Sequence, residues 1–174
     1  MNQMPANWHQ EVIRLLPKIR RFAFSLTGSV DDADDLLQAT VERALARWQQ
    51  FQKGTSVEKW MFRICKNLWI DEWRARKVRG PVIDIADSPF EPSVDGTEVA
   101  IRKLQLREVS EAMQHLPDEQ RMALSLVAVE GLSYREAGAV MEVPTGTVMS
   151  RLARARRALV ERLAERPASE RDVL

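Results

Sequence analysis

The residues of this chain that could do chemistry are cations and aromatic rings, and the chemistry they suit is recognition of nucleic acid. The clearest set lies in Ser133 to Arg157, SYREAGAVMEVPTGTVMSRLARARR. At about 100° per residue, Gly146, Ser150, Ala153, Arg154 and Arg157 share one side of a helix, with Met149 at its edge. Val148, Leu152, Ala155 and Leu159 make the opposite, apolar side. Small, polar and cationic groups on one exposed strip suit a DNA major groove, where guanidinium groups meet base edges or phosphates and small residues permit close approach. A helical hairpin with a solvated basic face would carry the same residues, so the strip is weighed with the elements that hold it.

Those elements read as two short helices and a tight turn. Ser133 and Glu136 form a capping box, in which hydroxyl and carboxylate satisfy amide groups that a helix start leaves orphaned. Ala137, Val140 and Met141 then share one face. Pro144 lacks an amide hydrogen and disfavours a helical Val143, so Glu142-Val143-Pro144 interrupts the helix, and Thr145 is the expected cap of the next.

A second constellation lies between residues 48 and 79. Four of the five tryptophans fall between 48 and 73, and Lys59 to Arg79 holds seven Lys/Arg against Asp71 and Glu72. Aromatic rings interleaved with cations fit a single strand, because ring faces stack unpaired bases while cations hold phosphates. Tryptophans also pack, and basic helix faces are commonly solvated. The expected helix runs from about Val57 to Val78 behind a Thr55–Glu58 capping box, with Val57, Trp60, Met61, Ile64 and Leu68 as its core stripe. Phe62, Trp69 and Trp73 do not all fit that stripe.

Earlier in the chain, Trp8, Val12, Leu15, Leu16, Ile19, Phe22 and Leu26 recur at helical spacing. Pro17 either kinks that helix or starts another, and Gly28 is a left-handed stop. A second helix is expected from about Asp31 to Gln50, buried along Ala33, Leu36, Leu37, Thr40, Val41, Ala44, Leu45 and Trp48. Asp31, Asp32, Asp34 and Asp35 suit the positive end of its dipole. The outward row Asp31, Asp35, Gln38 and Glu42 suits a basic partner surface equally well.

Gly80 to Glu98 holds three of the eight prolines and five carboxylates but no Lys or Arg, and reads as an acidic linker. Beyond it, Ile101, Leu104, Val109, Met113 and Leu116 mark a helix that Pro117 ends. Pro117 begins the next, Asp118 to about Val129, and Gly131 closes it. The expected fold is all α: two small helical domains joined by a flexible acidic linker, the C-terminal one a helix-turn-helix. The divisions are 1–79, 80–97, 98–166 and a tail, 167–174. A linker of this length reaches about 70 Å at ~3.5 Å per residue. Two DNA elements some 17 base pairs apart lie about 58 Å apart at ~3.4 Å per pair. One tethered pair of domains can therefore read both.

Composition narrows the remainder. The 174 residues carry a net charge of +1, so only the distribution of charge points to a partner. The lone Cys65 excludes an internal disulfide framework and suits a reducing cytoplasm. His9 and His115 make no zinc-ligand set, and no metal or cofactor is expected. No signal pattern or membrane-length apolar run occurs. With neither a Ser/His/Asp set nor a phosphate-cradling glycine loop, an enzyme is a poor reading.

At this point the sequence resembles the extracytoplasmic-function (group IV) bacterial sigma factors over nearly its whole length. DDADDLLQATVERAL resembles their polymerase-binding helix, and FQKGTSVEKWMFRICKNLWIDEWR their −10 recognition and melting segment, down to the Phe51, Trp60, Asn67, Asp71 spacing. LPDEQRMALSLVAVEGLSYREAGAVMEVPTGTVMSRLARARRAL is similar to their −35-reading helix-turn-helix, and LLPKIRRFAFSLTG resembles the start of the general-stress-response branch. The resemblance implies a cytoplasmic protein with three partners: core RNA polymerase (its clamp helices and flap), promoter DNA and an anti-sigma factor. Asp31, Asp35, Gln38 and Glu42 would dock the polymerase. Phe51, Lys53, Thr55, Trp60, Arg63 and Asn67 would take the melted −10 strand. Thr145, Met149, Ser150, Ala153 and Arg154 would face the −35 groove, with Arg151, Arg156 and Arg157 toward phosphates. The family usually has Lys or Arg where this chain has Met149. The rival is a free-standing helix-turn-helix regulator, which would bind duplex DNA without polymerase.

Overall fold

The first apolar stripe forms one helix, α1 (Trp8–Thr27), that runs through Pro17 without a second start. Pro17 lies on the exposed side beside exposed Ile13, whose unpaired carbonyl can turn to water, so the missing hydrogen bond costs little. Gly28 stops the helix at φ 73°, in the left-handed region, and its N–H donates to the Phe24 carbonyl. The computed structural model describes residues 7–51, 55–79 and 97–165, so Lys53, nearly all of the expected linker and the tail lie outside the described residues. Ser29 Oγ caps α2 (Val30–Ala46) by accepting from the Asp32 N–H, and a short 3₁₀ turn, Trp48–Gln50, follows. The expected buried stripe of α2 is present, with Ala33, Leu36, Thr40 and Ala44 innermost.

The start of α3 (Val57–Arg79) differs from expectation. Ser56 Oγ, not Thr55, accepts from the Lys59 N–H at 3.4 Å, and the Glu58 carboxylate turns to Lys18 at 2.5 Å. A lysine on the neighbouring helix offers Glu58 a full charge, a stronger partner than a backbone amide. Phe62 and Trp69 are buried as well as Val57 and Met61. Phe62 meets Phe22 of α1 edge-on at 5.1 Å between centroids. Cys65 is fully buried, and loss of water pushes its thiol up to about 12. It is an inert packing residue.

In the C-terminal lobe, α4 (Thr97–Gln114) leads to Pro117, which occupies the N-cap of α5 (Asp118–Leu124). The expected continuation to Val129 is a π-helical turn, Ser125–Val129, in which the Glu130 N–H reaches back to the Ser125 carbonyl. Gly131 takes φ 74° and closes it. Helix α6 (Tyr134–Met141) opens on the expected capping box: Ser133 Oγ accepts from the Glu136 N–H while the Glu136 carboxylate accepts from the Ser133 N–H. Helix α7 (Thr145–Ala164) has Pro144, not Thr145, at its N-cap, so Thr145 is the first helical residue and provides no side-chain cap. Proline there needs no hydrogen to donate and presets the entry angle.

The two lobes pack together. Helix α3 lies against α6, and α1 against α4, α5 and the π turn, so that one apolar core runs from Phe22, Leu36 and Phe62 to Leu126, Val140 and Val148. Gln114 Nε2 donates to the Ser25 carbonyl at 3.1 Å beside Gly28, where an added Cβ would stand 2.7 Å from the Gln114 side chain. The Arg121 guanidinium, buried and bonded to Gln114 and Asp118, lies 5.6 Å from the centre of the Trp69 ring.

A buried ion pair at this seam yields a stability prediction. Glu130 has a fully buried side chain and accepts from Arg21 of α1 at 3.0 Å. Burial raises its pKa from the ordinary glutamate value, while the Arg21 hydrogen bond lowers it in part. Arg21→Ala removes the compensation, with an expected cost of about 1–3 kcal/mol in urea unfolding near pH 7. A raised folded-state pKa means the folded state takes up a proton first as pH falls. Without Arg21 that value rises further while the unfolded one is unchanged, so the penalty should shrink as pH drops through the raised folded-state values, above the ordinary glutamate range; a penalty independent of pH would assign it to lost packing instead.

Candidate nucleic-acid interface

The helix-turn-helix holds its outward strip by close packing beneath it. Val148, Leu152 and Ala155 of α7 are buried: Val148 shares a core with Ala137, Val140 and Met141 of α6, while Leu152 and Ala155 pack with Met113, Leu116 and Leu124. Gly138 has no room for a side chain: a Cβ there would stand 2.8 Å from the Val143 carbonyl oxygen and 3.6 Å from Val148. Glu142 takes φ 59° at the C-cap of α6, and this left-handed residue turns the chain into Pro144. The sequence placed Glu142 in the interruption without its left-handed conformation, and Gly138 was passed over although a glycine at midhelix was the available signal.

On the outer side, Gly146, Met149, Ser150, Ala153, Arg154, Arg156 and Arg157 are exposed together, as the wheel requires. Arg154, Arg156 and Arg157 make no ion pair with any described residue. Arg151 differs. It is half-buried, and its guanidinium meets Glu119 of α5 at 2.6 Å, so it braces α7 on α5. Ser150 Oγ donates to the Thr147 carbonyl, and Thr145 is exposed at the start of the helix.

The expected −10 residues divide into two groups. Phe51 and Trp60 join Trp8 in a ring cluster with centroids 5.0 to 5.6 Å apart, each ring tilted or edge-on to its neighbours. Both are half-buried, so each offers one edge while its other side packs. Thr55 and Asn67 are exposed. Arg63 is exposed too, yet its guanidinium donates to the Ala139 carbonyl of α6 at 2.9 Å. Lys59 and Lys66, on the same side of α3, were not singled out in sequence; they pair with Glu136 at 2.9 Å and Glu142 at 2.8 Å. Phe62 and Trp69 are core residues, unavailable for stacking in this arrangement.

The expected polymerase row on α2 has Asp31, Asp35, Gln38 and Glu42 outward on one face, with Gln38 donating to Glu42 at 3.0 Å. Asp34 turns away from that row to take a two-pronged bond from Arg20, at 2.6 and 3.0 Å. That bond holds its pKa below the ordinary aspartate value. Among the described residues no group of three or more His, Cys, Asp or Glu could hold a metal, and no helix is long and apolar enough to cross a membrane.

These features define a two-lobed helical protein built around a helix-turn-helix. Residues 12–66 match the family model described as the sigma2 domain of PhyR, and residues 106–159 match sigma-70, region 4. The chain is 36% identical over 146 residues to the ECF RNA polymerase sigma factor EcfG of Rhodopseudomonas palustris, covering 84% of this chain and 79% of that protein. It is 36% identical over 165 residues to the ECF sigma factor SigE of Mycolicibacterium smegmatis, covering 93% of this chain and 63% of that one. The structure resembles that of the sigma factor RpoE of Bartonella quintana, solved in complex with the anti-sigma factor NepR. The TM-score is 0.76 at 30% identity, over 92% of this chain and 99% of that one. The chain belongs to the extracytoplasmic-function sigma factors, which direct RNA polymerase to particular promoters.

Proposed function

We propose that this chain binds core RNA polymerase through the acidic row of α2, takes the melted −10 strand on the outer side of α3 and reads the −35 element with α7. It acts in the cytoplasm as a specificity subunit rather than an enzyme. Residues 1–79 and 98–166 are the working domains, with 80–97 the tether and 167–174 a tail. The observation that carries this reading is the exposed strip Met149, Ser150, Ala153, Arg154 and Arg157, held outward by three buried residues of the same helix. Asp31, Asp35, Gln38 and Glu42 support the polymerase role, because they share an outward face that the helix's own capping does not explain. Phe51, Thr55, Trp60 and Asn67 frame the strand site, with Lys53 and Arg63 as its cations. A flipped base costs a few kcal/mol of stacking, which ring contacts must offset. The match to the PhyR sigma2 domain and the likeness to RpoE support the general-stress-response branch, with an anti-sigma factor as regulator.

The deciding experiment is run-off transcription. Purified protein added to core polymerase should confer start sites that core polymerase alone lacks. The same protein should shift promoter DNA in a gel only when polymerase is present. Tight binding to duplex DNA without polymerase would support the free-standing regulator instead.

Met149 gives a gain-of-function prediction. Its side chain is 51% exposed on the strip, at a position where the family resemblance implies a cation. Met149→Arg should tighten holoenzyme binding to the promoter several-fold and steepen its salt dependence by about one ion. Identical salt slopes for the two proteins would remove residue 149 from the DNA surface.

A further inference from the structure

The outward strip of α7 consists of two rows that differ in chemistry. Gly146, Met149, Ala153 and Arg156 follow one another at steps of three, four and three residues, and Ser150, Arg154 and Arg157 at steps of four and three, so each set is a single line along the helix. The second row is polar throughout and ends in two guanidinium groups. The first carries no polar side chain before Arg156. Gly146 adds nothing to it, and a Cβ built there would meet no atom within 4 Å, while Ala153 adds one methyl group. Met149 is therefore the one long side chain in that row before Arg156. It is 51% exposed and stands beside Val148, which is fully buried and fixes the helix beneath it.

The N-terminal half of such a helix is where base edges are met in the major groove. A polar group on a base edge that is covered by an apolar side chain loses water and gains no hydrogen bond. The edges offer one apolar group, the C5-methyl of thymine, and contact with it is the favourable outcome for an uncharged thioether. Methionine suits that contact, because its unbranched, polarizable end adjusts to the methyl group without strain. Ser150 brings no competing donor, since its Oγ donates to the Thr147 carbonyl at 3.0 Å. Gly146 and Ala153, on either side of Met149 in the row, let the helix approach until the thioether reaches the base pair.

We propose that Met149 is a specificity-determining residue that reads a thymine, through its 5-methyl group, at one base pair of the −35 element. The row Ser150, Arg154 and Arg157 serves base acceptors and phosphates beside it. This rests on the reading of α7 as the −35 helix and adds to it the identity of one base. Unmodified DNA carries the methyl group on thymine alone, so a G·C pair in either orientation leaves Met149 over polar edges.

The test uses holoenzyme made from the full chain and core polymerase, on a promoter that gives a start site in run-off transcription. Each thymine of the −35 element, on both strands in turn, is replaced by deoxyuridine. That change removes the methyl group and keeps every hydrogen-bonding atom. At one thymine the parent should bind about fourfold more weakly, the effect of losing one methyl-sized apolar contact, and the other replacements should change little. Met149→Gln keeps the length of an exposed side chain and should bind the thymine and deoxyuridine promoters equally. Met149→Arg should be as indifferent, because its tighter binding comes from charge and not from the methyl group. The inference is overturned if the element holds no thymine, if no thymine in it responds to deoxyuridine, or if the glutamine variant keeps the parent's response. Base-pair changes throughout the −35 element decide the underlying reading separately. Affinity indifferent to all of them would take α7 off the DNA, whereas affinity sensitive to them but not to deoxyuridine would overturn the role of Met149 alone.

Discussion

Gly138→Val should abolish promoter-directed transcription and lower the unfolding free energy by about 2–4 kcal/mol. A Cβ at 138 would stand 2.8 Å from the Val143 carbonyl oxygen, and valine adds two methyl groups toward Val148 and Thr145. The obstructing atom is backbone, fixed on one side by the left-handed Glu142 and on the other by Pro144, so no flexible side chain can swing away. Relief requires α7 to move off α6, which uncovers Val148 and tilts the outward strip. Alanine introduces the same Cβ without the extra methyls and should fall between parent and valine variant. Thermal unfolding and run-off transcription on one promoter measure the two effects. A valine variant of parental stability would mean that the turn is more pliable than its packing implies.

What the sequence disclosed depended on whether the controlling partner was near in the chain. The Ser133–Glu136 box, the Gly28 and Gly131 stops and the buried line Val148, Leu152, Ala155 are local, and residues alone identify them. The α3 cap departs from the local pattern because Lys18, forty residues away, competes for the Glu58 carboxylate. The π turn after Leu124 has no pattern of its own, since the apolar residues there fit a continuous α-helix equally well.

Phe62 and Trp69 were the residues the sequence left open. A wheel with one buried stripe leaves them over, and with cations nearby both stacking on bases and packing fitted them. In the structure α3 is buried on more than one side, because α1 and α2 cover one face and the C-terminal lobe the next. Surplus apolar residues on that helix were the sign of a second packing partner. The strip on α7 was legible because only one of its sides is covered. Arg151 was the exception there, since Glu119 lies on a different helix.

Arg154→Ala should weaken holoenzyme binding to a −35 element by roughly 10- to 100-fold, the range for loss of one good base-edge or phosphate contact. Stability should stay within about 0.5 kcal/mol of the parent, because the side chain is exposed and ion-pairs with no described residue. The two contact types separate experimentally. A lost guanine contact relaxes preference at one base pair, leaving the salt slope nearly intact. A lost phosphate contact weakens all sequences alike and lowers the slope by about one. Position on the helix favours the first outcome: Arg154 lies beside Ser150 and Ala153, whose small side chains let the backbone approach the base edges within reach of a guanidinium. Quantitative footprinting over a set of −35 variants at two salt concentrations distinguishes them, and equal affinities for parent and variant throughout would remove Arg154 from the interface.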